Sequence, residues 1–419
     1  MSLGAVGAAL LMLEMQSGTE VAYAPTPAPA PGASVCRDGL CGTEALNGWF
    51  EALRATEAGA AEAPVHVLQI GDSHTAGDRI TGALRARLQA RFGAGGRGVL
   101  PPGVPYAAYA PLQVEVAADA WPVSVAPLTG PLGATTARTG LTGAVAVVGP
   151  AGRLTLTTEA VAAFDRIGLC ADGGPEAGGV TVSTADLDMT ADFRSSTSGP
   201  QCRTLDLPAP VQTAVLQPTG AMVVHDVWTA RRGGGVVVSS LGVVGAALRD
   251  LATRDEAVAA AELAAWKPSL IVLAFGVNDG FEEGVDPVAY ADLLRGQVAR
   301  FRGLAPDAAL LILGAPDGLK SGGTGGCGAD GSRRAPTSLA VVRDVQRRVA
   351  DEAGVAYWDW QGRMGGDCSA ERLATMAEPY MRPDRVHFTS VGADWIGGVL
   401  SDDLTGAYER WKTSAGEAD

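Results

Sequence analysis

The chain lacks most of what recognises nucleic acid, metal or a bilayer. Lys and Arg number 32 against 46 Asp and Glu, a formal net charge of −14. No basic stripe is available to neutralise phosphates, so nucleic acid is excluded as a main partner, and an anionic membrane surface with it. No apolar run reaches the roughly 18 residues that a membrane-crossing helix needs. Histidine is scarce, with only 4 in the chain: His66, His74, His225 and His387. There is no H-E-x-x-H and no paired carboxylate cluster, so no metal and no cofactor are expected. The G-x-G-x-x-G match at residues 93–98 follows a helical pattern instead of a strand, which defeats a dinucleotide reading. The Gly-rich stretch 314–332 holds Lys320 without phosphate-loop spacing and reads as a loop near the active-site rim.

Cysteine is present, 6 in all, but never as C-x-x-C. The sequence leaves the connectivity open. Pairing between neighbours in each region is the expectation, which places Cys327 with Cys368 and suits a periplasmic or secreted protein. Six buried thiols in a cytosolic enzyme are the alternative. The N-terminus reads two ways. Residues 3–13 are apolar, and Ala22-Tyr23-Ala24 has the small-x-small form of a secretory cleavage site. Against this, no Lys or Arg precedes the apolar stretch, Glu14 follows it, and Pro25 would come directly after the cut. Residues 25–34 are an extended Pro/Ala linker.

Hydrophobic residues make up 47% of the 419 positions, enough for a sizeable core. That length predicts one large domain with an accessory module. Ile80, Leu84, Leu88 and Phe92 recur at helical spacing, so residues 77–92 are predicted helical. Residues 270–275 are an unbroken apolar run, as in a strand buried on both faces of a parallel sheet. A helix over 288–303, a strand over 309–313 and a helix around Val342, Val345 and Val349 follow. A short strand at 355–359 and a helix over 390–408 complete the pattern. Alternating strands and helices predict an α/β fold with a parallel sheet between helical layers. Residues 105–235 break the rhythm. Short β-type runs at 153–158, 163–170, 179–183 and 222–229 alternate with turn residues, which predicts an inserted β-sandwich. The expected division is a leader and linker at 1–45, a discontinuous α/β domain at 46–104 and 236–412, the insert at 105–235, and a tail at 413–419.

Chemistry enters at residues 65–78, VHVLQIGDSHTAGD. A β-branched strand runs into Gly71-Asp72-Ser73-His74, and a helix follows at once, which is how a chain presents a nucleophilic serine. Three further blocks supply it with partners: Ser240-Leu241-Gly242-Val243-Val244-Gly245-Ala246, Gly276-Val277-Asn278-Asp279 and Asp384-Arg385-Val386-His387. Strand ends of an α/β sheet are where such sites assemble.

In these blocks the chain resembles the SGNH (GDSL-type) hydrolases. The Gly-Asp-Ser-His-Thr and Ser-Leu-Gly-x-x-Gly-Ala forms, with Met364-Gly365-Gly366 before the last block, most resemble peptidoglycan O-acetylesterases. The resemblance implies a three-layer sandwich and a catalytic set of Ser73, His387 and Asp384. It also implies an oxyanion hole made by the N–H groups of Ser73 and Gly245 and the amide of Asn278. Gly245 is preferred to Gly242 because the family's donor glycine is the later one. Inserted sandwiches in this branch resemble carbohydrate-binding modules, with Trp121, Phe193 and Trp228 as candidate platform residues, although core packing is the expectation for at least two of them. Serine esterases need no metal.

On chemistry alone, Ser73 needs a base, which His387 can be, and Asp384 can hold the imidazole in the right tautomer. Asp72 is expected to brace the serine turn, and His74 either to orient and contact substrate or to make a structural hydrogen bond. His66 and His225, in apolar runs, are assigned to packing. The expected activity is removal of O-acetyl groups from a carbohydrate, peptidoglycan first. Acetyl transfer to a sugar, hydrolysis of another acetylated glycan or lipid, and a non-catalytic glycan-binding scaffold are the alternatives.

Overall fold

The computed structural model describes residues 36–126, 128, 138–322, 326–328 and 331–416. The leader and linker readings at 1–34 lie outside them. Five parallel strands form the central sheet, in the order Ala356–Trp358, Ala309–Leu313, Leu270–Ala274, Val65–Gly71, Val236–Gly242. The strand leading to Ser73 therefore has a parallel neighbour on each side. Side chains alternate across the sheet. Val65, Val67, Val238, Val272 and Leu311 face one core with the helices Asn47–Glu57, Arg79–Phe92 and Ser390–Gly416. Leu68, Ile70, Leu241, Leu273 and Ile312 face a second core with Glu256–Trp266, Pro287–Leu304 and Thr337–Ala353. Both faces are dry, which is why the strands read as continuous apolar runs. The result is the three-layer α/β sandwich that the resemblance implies. At one edge the disulfide-closed hairpin Cys36–Arg37 and Leu40–Cys41 adds antiparallel to Ala356–Trp358, a feature the pattern of parallel strands did not predict.

Two antiparallel sheets interrupt this domain. One runs Asp188–Asp192, Gly179–Ser183, Thr213–Pro218, Arg153–Thr158, Val114–Asp119; the other runs Gly199–Val211, Phe164–Gly173, Met222–Ala230, Ala144–Val148, Val123–Val125. Leu154, Leu156, Val180 and Leu216 from the first share a core with Ile167, Leu169, Val224 and Val227 from the second. Gly98–Leu100, ahead of residue 105, already pairs with Met222–Ala230. The last helix runs past residue 413 to Gly416. Trp121, Phe193 and Trp228 are all buried, so none of the three candidate aromatics offers a ring to a surface ligand. Three disulfides join neighbours in sequence: Cys36–Cys41, Cys170–Cys202 and Cys327–Cys368.

Candidate active site

The strand Val65–Gly71 delivers its last residues to the carboxyl edge of the sheet, where Ser73 opens the short helix Ser73–Ala76. Asp72 caps this helix. Its Oδ1 accepts the His74 main-chain N–H at 2.9 Å, and its carbonyl accepts the N–H of Thr75 and Ala76. Asp72 thus braces the serine turn. The predicted helix 77–92 is broken at Asp78, whose φ of 49° separates this turn from Arg79–Phe92. The break serves a buried cluster. The Asp78 carboxylate receives Arg85 at 2.7 Å and Arg97 at 2.8 Å, together with Thr81 Oγ1 and the Leu112 N–H. Burial pushes the Asp78 carboxyl up, but the two guanidinium groups outweigh it and hold it at about 2. The sequence offered no signal for this cluster beyond a charged pair at i, i+7 and an arginine inside a rejected glycine motif.

Ser73 Oγ lies 2.9 Å from His387 Nε2, across 314 residues of sequence. His387 Nδ1 lies 2.9 Å from Asp384 Oδ2, while Asp384 Oδ1 accepts the main-chain N–H groups of Val386 and His387 at 2.9 Å each. Partial burial raises the Asp384 carboxyl, but those N–H groups and the His387 ring outweigh it and hold it below the ordinary range. Aspartate, imidazole and hydroxyl form one line of hydrogen bonds, the arrangement that lets a histidine take a serine proton.

The two strands beside Val65–Gly71 supply the other blocks. Val236–Gly242 ends at Gly242, where an added Cβ would sit 2.6 Å from both Ala76 Cα and Asp72 O. Gly242 is therefore a close-approach residue against the serine turn. Gly245 has φ +79°, and among the described residues an added Cβ would meet only Leu128 Cδ1, at 3.1 Å. Steric contact with the serine turn thus separates the two glycines. Leu270–Ala274 leads to Asn278 on the short helix Val277–Phe281. The Asn278 amide donates to the Ala246 carbonyl at 2.9 Å, which ties the second block to the third. Next to it, Asp279 accepts the Leu248 N–H at 3.1 Å, and burial pushes its carboxyl up to about 7.

His74 is buried, with Nδ1 3.1 Å from Asp72 Oδ1 and Nε2 2.9 Å from the Val386 carbonyl. It is a bridge to the base loop and not a surface group. His66 is also buried, between the Trp266 carbonyl and Ser239 Oγ, and burial lowers it to about 4. His225 packs beside Asp172. The Gly-rich stretch touches the base loop, since the Leu319 N–H donates to the Arg385 carbonyl at 3.1 Å. Among the described residues no group of three or more His, Cys, Asp or Glu is placed to hold a metal. Sequence reasoning missed Tyr106, whose hydroxyl donates to the Ala76 carbonyl at 2.9 Å. Tyr106 also lines a cleft of about 430 Å³ with Pro101, Pro105, Val125, Val243 and Val244.

Residues 216–395 match the GDSL-like lipase/acylhydrolase family. The match takes in Gly245, Asn278, Asp384 and His387 and leaves out Ser73, from which the inserted sheets divide it. No curated protein sequence matches the chain. Among solved structures, a peptidoglycan O-acetylesterase is similar over 87% of this chain and 96% of its own, at 28% identity and a TM-score of 0.73. A putative GDSL-like lipase from Parabacteroides merdae, at 18% identity, is similar over 42% of this chain and 74% of its own, with a TM-score of 0.31. A family two carbohydrate esterase from Cellvibrio japonicus, at 9% identity, is similar over 71% and 99%, with a TM-score of 0.27. The sheet, the four blocks and a similarity across nearly the full length agree: the chain is similar to the SGNH (GDSL-type) hydrolases, and the match and the structural neighbour support an esterase of that type.

Proposed function

We propose that the protein removes O-acetyl groups from a carbohydrate, with peptidoglycan as the substrate, through a covalent acyl-enzyme on Ser73. The observation that carries this reading is the 2.9 Å contact of Ser73 Oγ with His387 Nε2, backed by Asp384 at 2.9 Å. His387 takes the Ser73 proton as the hydroxyl attacks the acetyl carbonyl. The oxyanion falls to the main-chain N–H groups of Ser73 and Gly245 and the Asn278 amide, donors worth about 10²–10³ in turnover each. His387 then gives its proton to the departing sugar oxygen. The same ring next activates water, which releases acetate and restores Ser73.

The choice of peptidoglycan rests on the similarity to the peptidoglycan O-acetylesterase. The cleft beside Val243 and Val244, walled on its far side by Val125 and Ala144 of the sandwich, would receive the apolar face of a glycan. In this reading the inserted sheets act as a second wall for the substrate, not as a separate aromatic platform. Three disulfides favour an oxidising compartment, periplasmic or extracellular. No helix among the described residues is long and apolar enough to cross a membrane.

The test is acetate released from O-acetylated peptidoglycan by the wild type beside Ser73→Ala. Release by the wild type alone is expected. Hydrolysis of an aryl acetate without release from peptidoglycan would keep the esterase and overturn the substrate. Acetyl appearing on an added sugar in place of free acetate would make the enzyme a transferase.

A further inference from the structure

The ring that follows the nucleophile is held in a way that acyl transfer does not itself require. The Val386 carbonyl, 2.9 Å from His74 Nε2, can only accept a hydrogen bond, so Nε2 must carry hydrogen. On the other side, Asp72 Oδ1 lies 3.1 Å from Nδ1 and already accepts the His74 main-chain N–H. A neutral ring would turn its Nδ1 lone pair on that acceptor. A ring protonated at both nitrogens donates to both partners. Trp360 and Phe388 approach edge-on at 5.5 and 5.9 Å, and the ring of His387 stacks on it at 5.5 Å and 27°.

The charged and titratable groups acting on this ring come from two elements. Asp72 belongs to its own turn, and Asp384 and His387 to the base loop; the helix Trp360–Met364 and Phe388 contribute uncharged rings. Burial opposes a charge on His74, but Asp72, the Val386 carbonyl and Asp384 outweigh it and raise its pKa.

We propose that His74 is a positioning residue that acts as a cation: protonated on both nitrogens, it staples the nucleophile turn to the base loop and, stacked on His387, fixes where that ring stands beside Ser73. This rests on the serine-esterase reading.

Two measurements test it. In wild-type protein, nitrogen-edited NMR of the 4 histidine rings should show one, assigned to His74 by its loss in His74→Gln, with hydrogen on both nitrogens at pH 7. His66, lowered to about 4, should carry one. In His74→Gln, where a neutral amide replaces the doubly donating ring, kcat on an aryl acetate should fall by about tenfold with KM close to that of the wild type. A His74 ring with a single N–H at pH 7, or a His74→Gln variant with unchanged kcat, would overturn the proposal. Failure of the esterase reading would look different: the wild type would hydrolyse no ester, or Ser73→Ala would retain activity, while the NMR result would still stand.

Discussion

Replacing Gly242 by alanine tests whether the serine turn is positioned by contact with the neighbouring strand. The new Cβ would run into the backbone of Ala76, whose Cα is 2.6 Å away and whose nitrogen is nearer still, and would lie 2.6 Å from Asp72 O, more than about 0.8 Å inside ordinary contact at 3.4 Å. Both obstacles are backbone, and both belong to the turn that carries Ser73, so no side chain can swing away. The turn must move by a comparable distance. A displacement near 1 Å at reacting atoms costs about 10²-fold, because the 2.9 Å line from Ser73 Oγ to His387 Nε2 opens. Overpacking adds a stability loss of about 1–3 kcal/mol. Gly245→Ala is the matched control. Its Cβ meets only the tip of half-exposed Leu128, the N–H survives, and the φ of +79° costs about 1–2 kcal/mol. Steady-state hydrolysis of an aryl acetate, with thermal melting to separate chemistry from unfolding, should give a kcat loss near 10²-fold for Gly242→Ala and under about tenfold for Gly245→Ala. Equal losses, or the reverse order, would refute the assignment of contact to one glycine and donation to the other.

Asp384→Asn should keep the loop folded through the Val386 and His387 N–H groups yet lower kcat by about 10⁴-fold, as loss of the orienting carboxylate does in serine triads; a loss under tenfold would remove Asp384 from the line. Its depressed native pKa means its stabilising effect is present above the unfolded value and lost as pH falls, visible as acid-dependent melting. Asn278→Ala should cost about 10²–10³ in kcat with KM nearly unchanged, measured on the same ester. Asp78→Asn leaves Arg85 and Arg97 buried without their carboxylate and should cost about 3–5 kcal/mol in urea unfolding. In the wild type the Asp78 contribution, with a native pKa of about 2, is full above the unfolded carboxylate range and disappears as pH falls toward 2. Reducing Cys327–Cys368, which closes a separation of 41 residues, should cost about 4 kcal/mol by loop entropy, read as a lower melting temperature with dithiothreitol.

The four blocks were legible because each is a short local pattern, three of them at the ends of sheet strands and the fourth on the loop ahead of the last helix. Residues 309–313, 153–158 and 179–183 coincide with observed strands for the same reason, being apolar or alternating runs bounded by turns. Other strands were not legible. Gly199–Val211 contains Pro200, Pro208 and Pro210, which argue against a strand unless it lies at an edge, and it is an edge. Asp188–Asp192 has one buried side chain and no pattern to read. The hairpin at Cys36–Cys41 uses two-residue strands, too short for any period. Asp78, Arg85 and Arg97 drew no reading as a cluster because a sequence does not reveal that all three turn inward. The role of His74 was left between orientation and structure because its decisive partner, the Val386 carbonyl, is backbone 312 residues away.

What distinguishes the three sources of the site is how each is held. Ser73, the second block and Asn278 leave adjacent strands of one sheet, so their spacing follows from strand pairing. The base does not share that frame. Asp384 and His387 sit on a loop ahead of the helix Ser390–Gly416, with Arg385 in the left-handed region at φ 59°, a conformation that needs support from its surroundings. That support comes from outside the sheet: Arg385 pairs with Glu371 at 2.8 Å, its carbonyl receives the Leu319 N–H, and the Val386 carbonyl faces His74. The Cys327–Cys368 bond ties the neighbouring Gly-rich stretch to the segment that carries Glu371. Loosening any of these leaves Asn278 and the two glycines where they are but moves the base. Such changes should therefore lower kcat while leaving KM close to that of the wild type, whereas changes in the cleft lined by Tyr106 and Val244 should raise KM first.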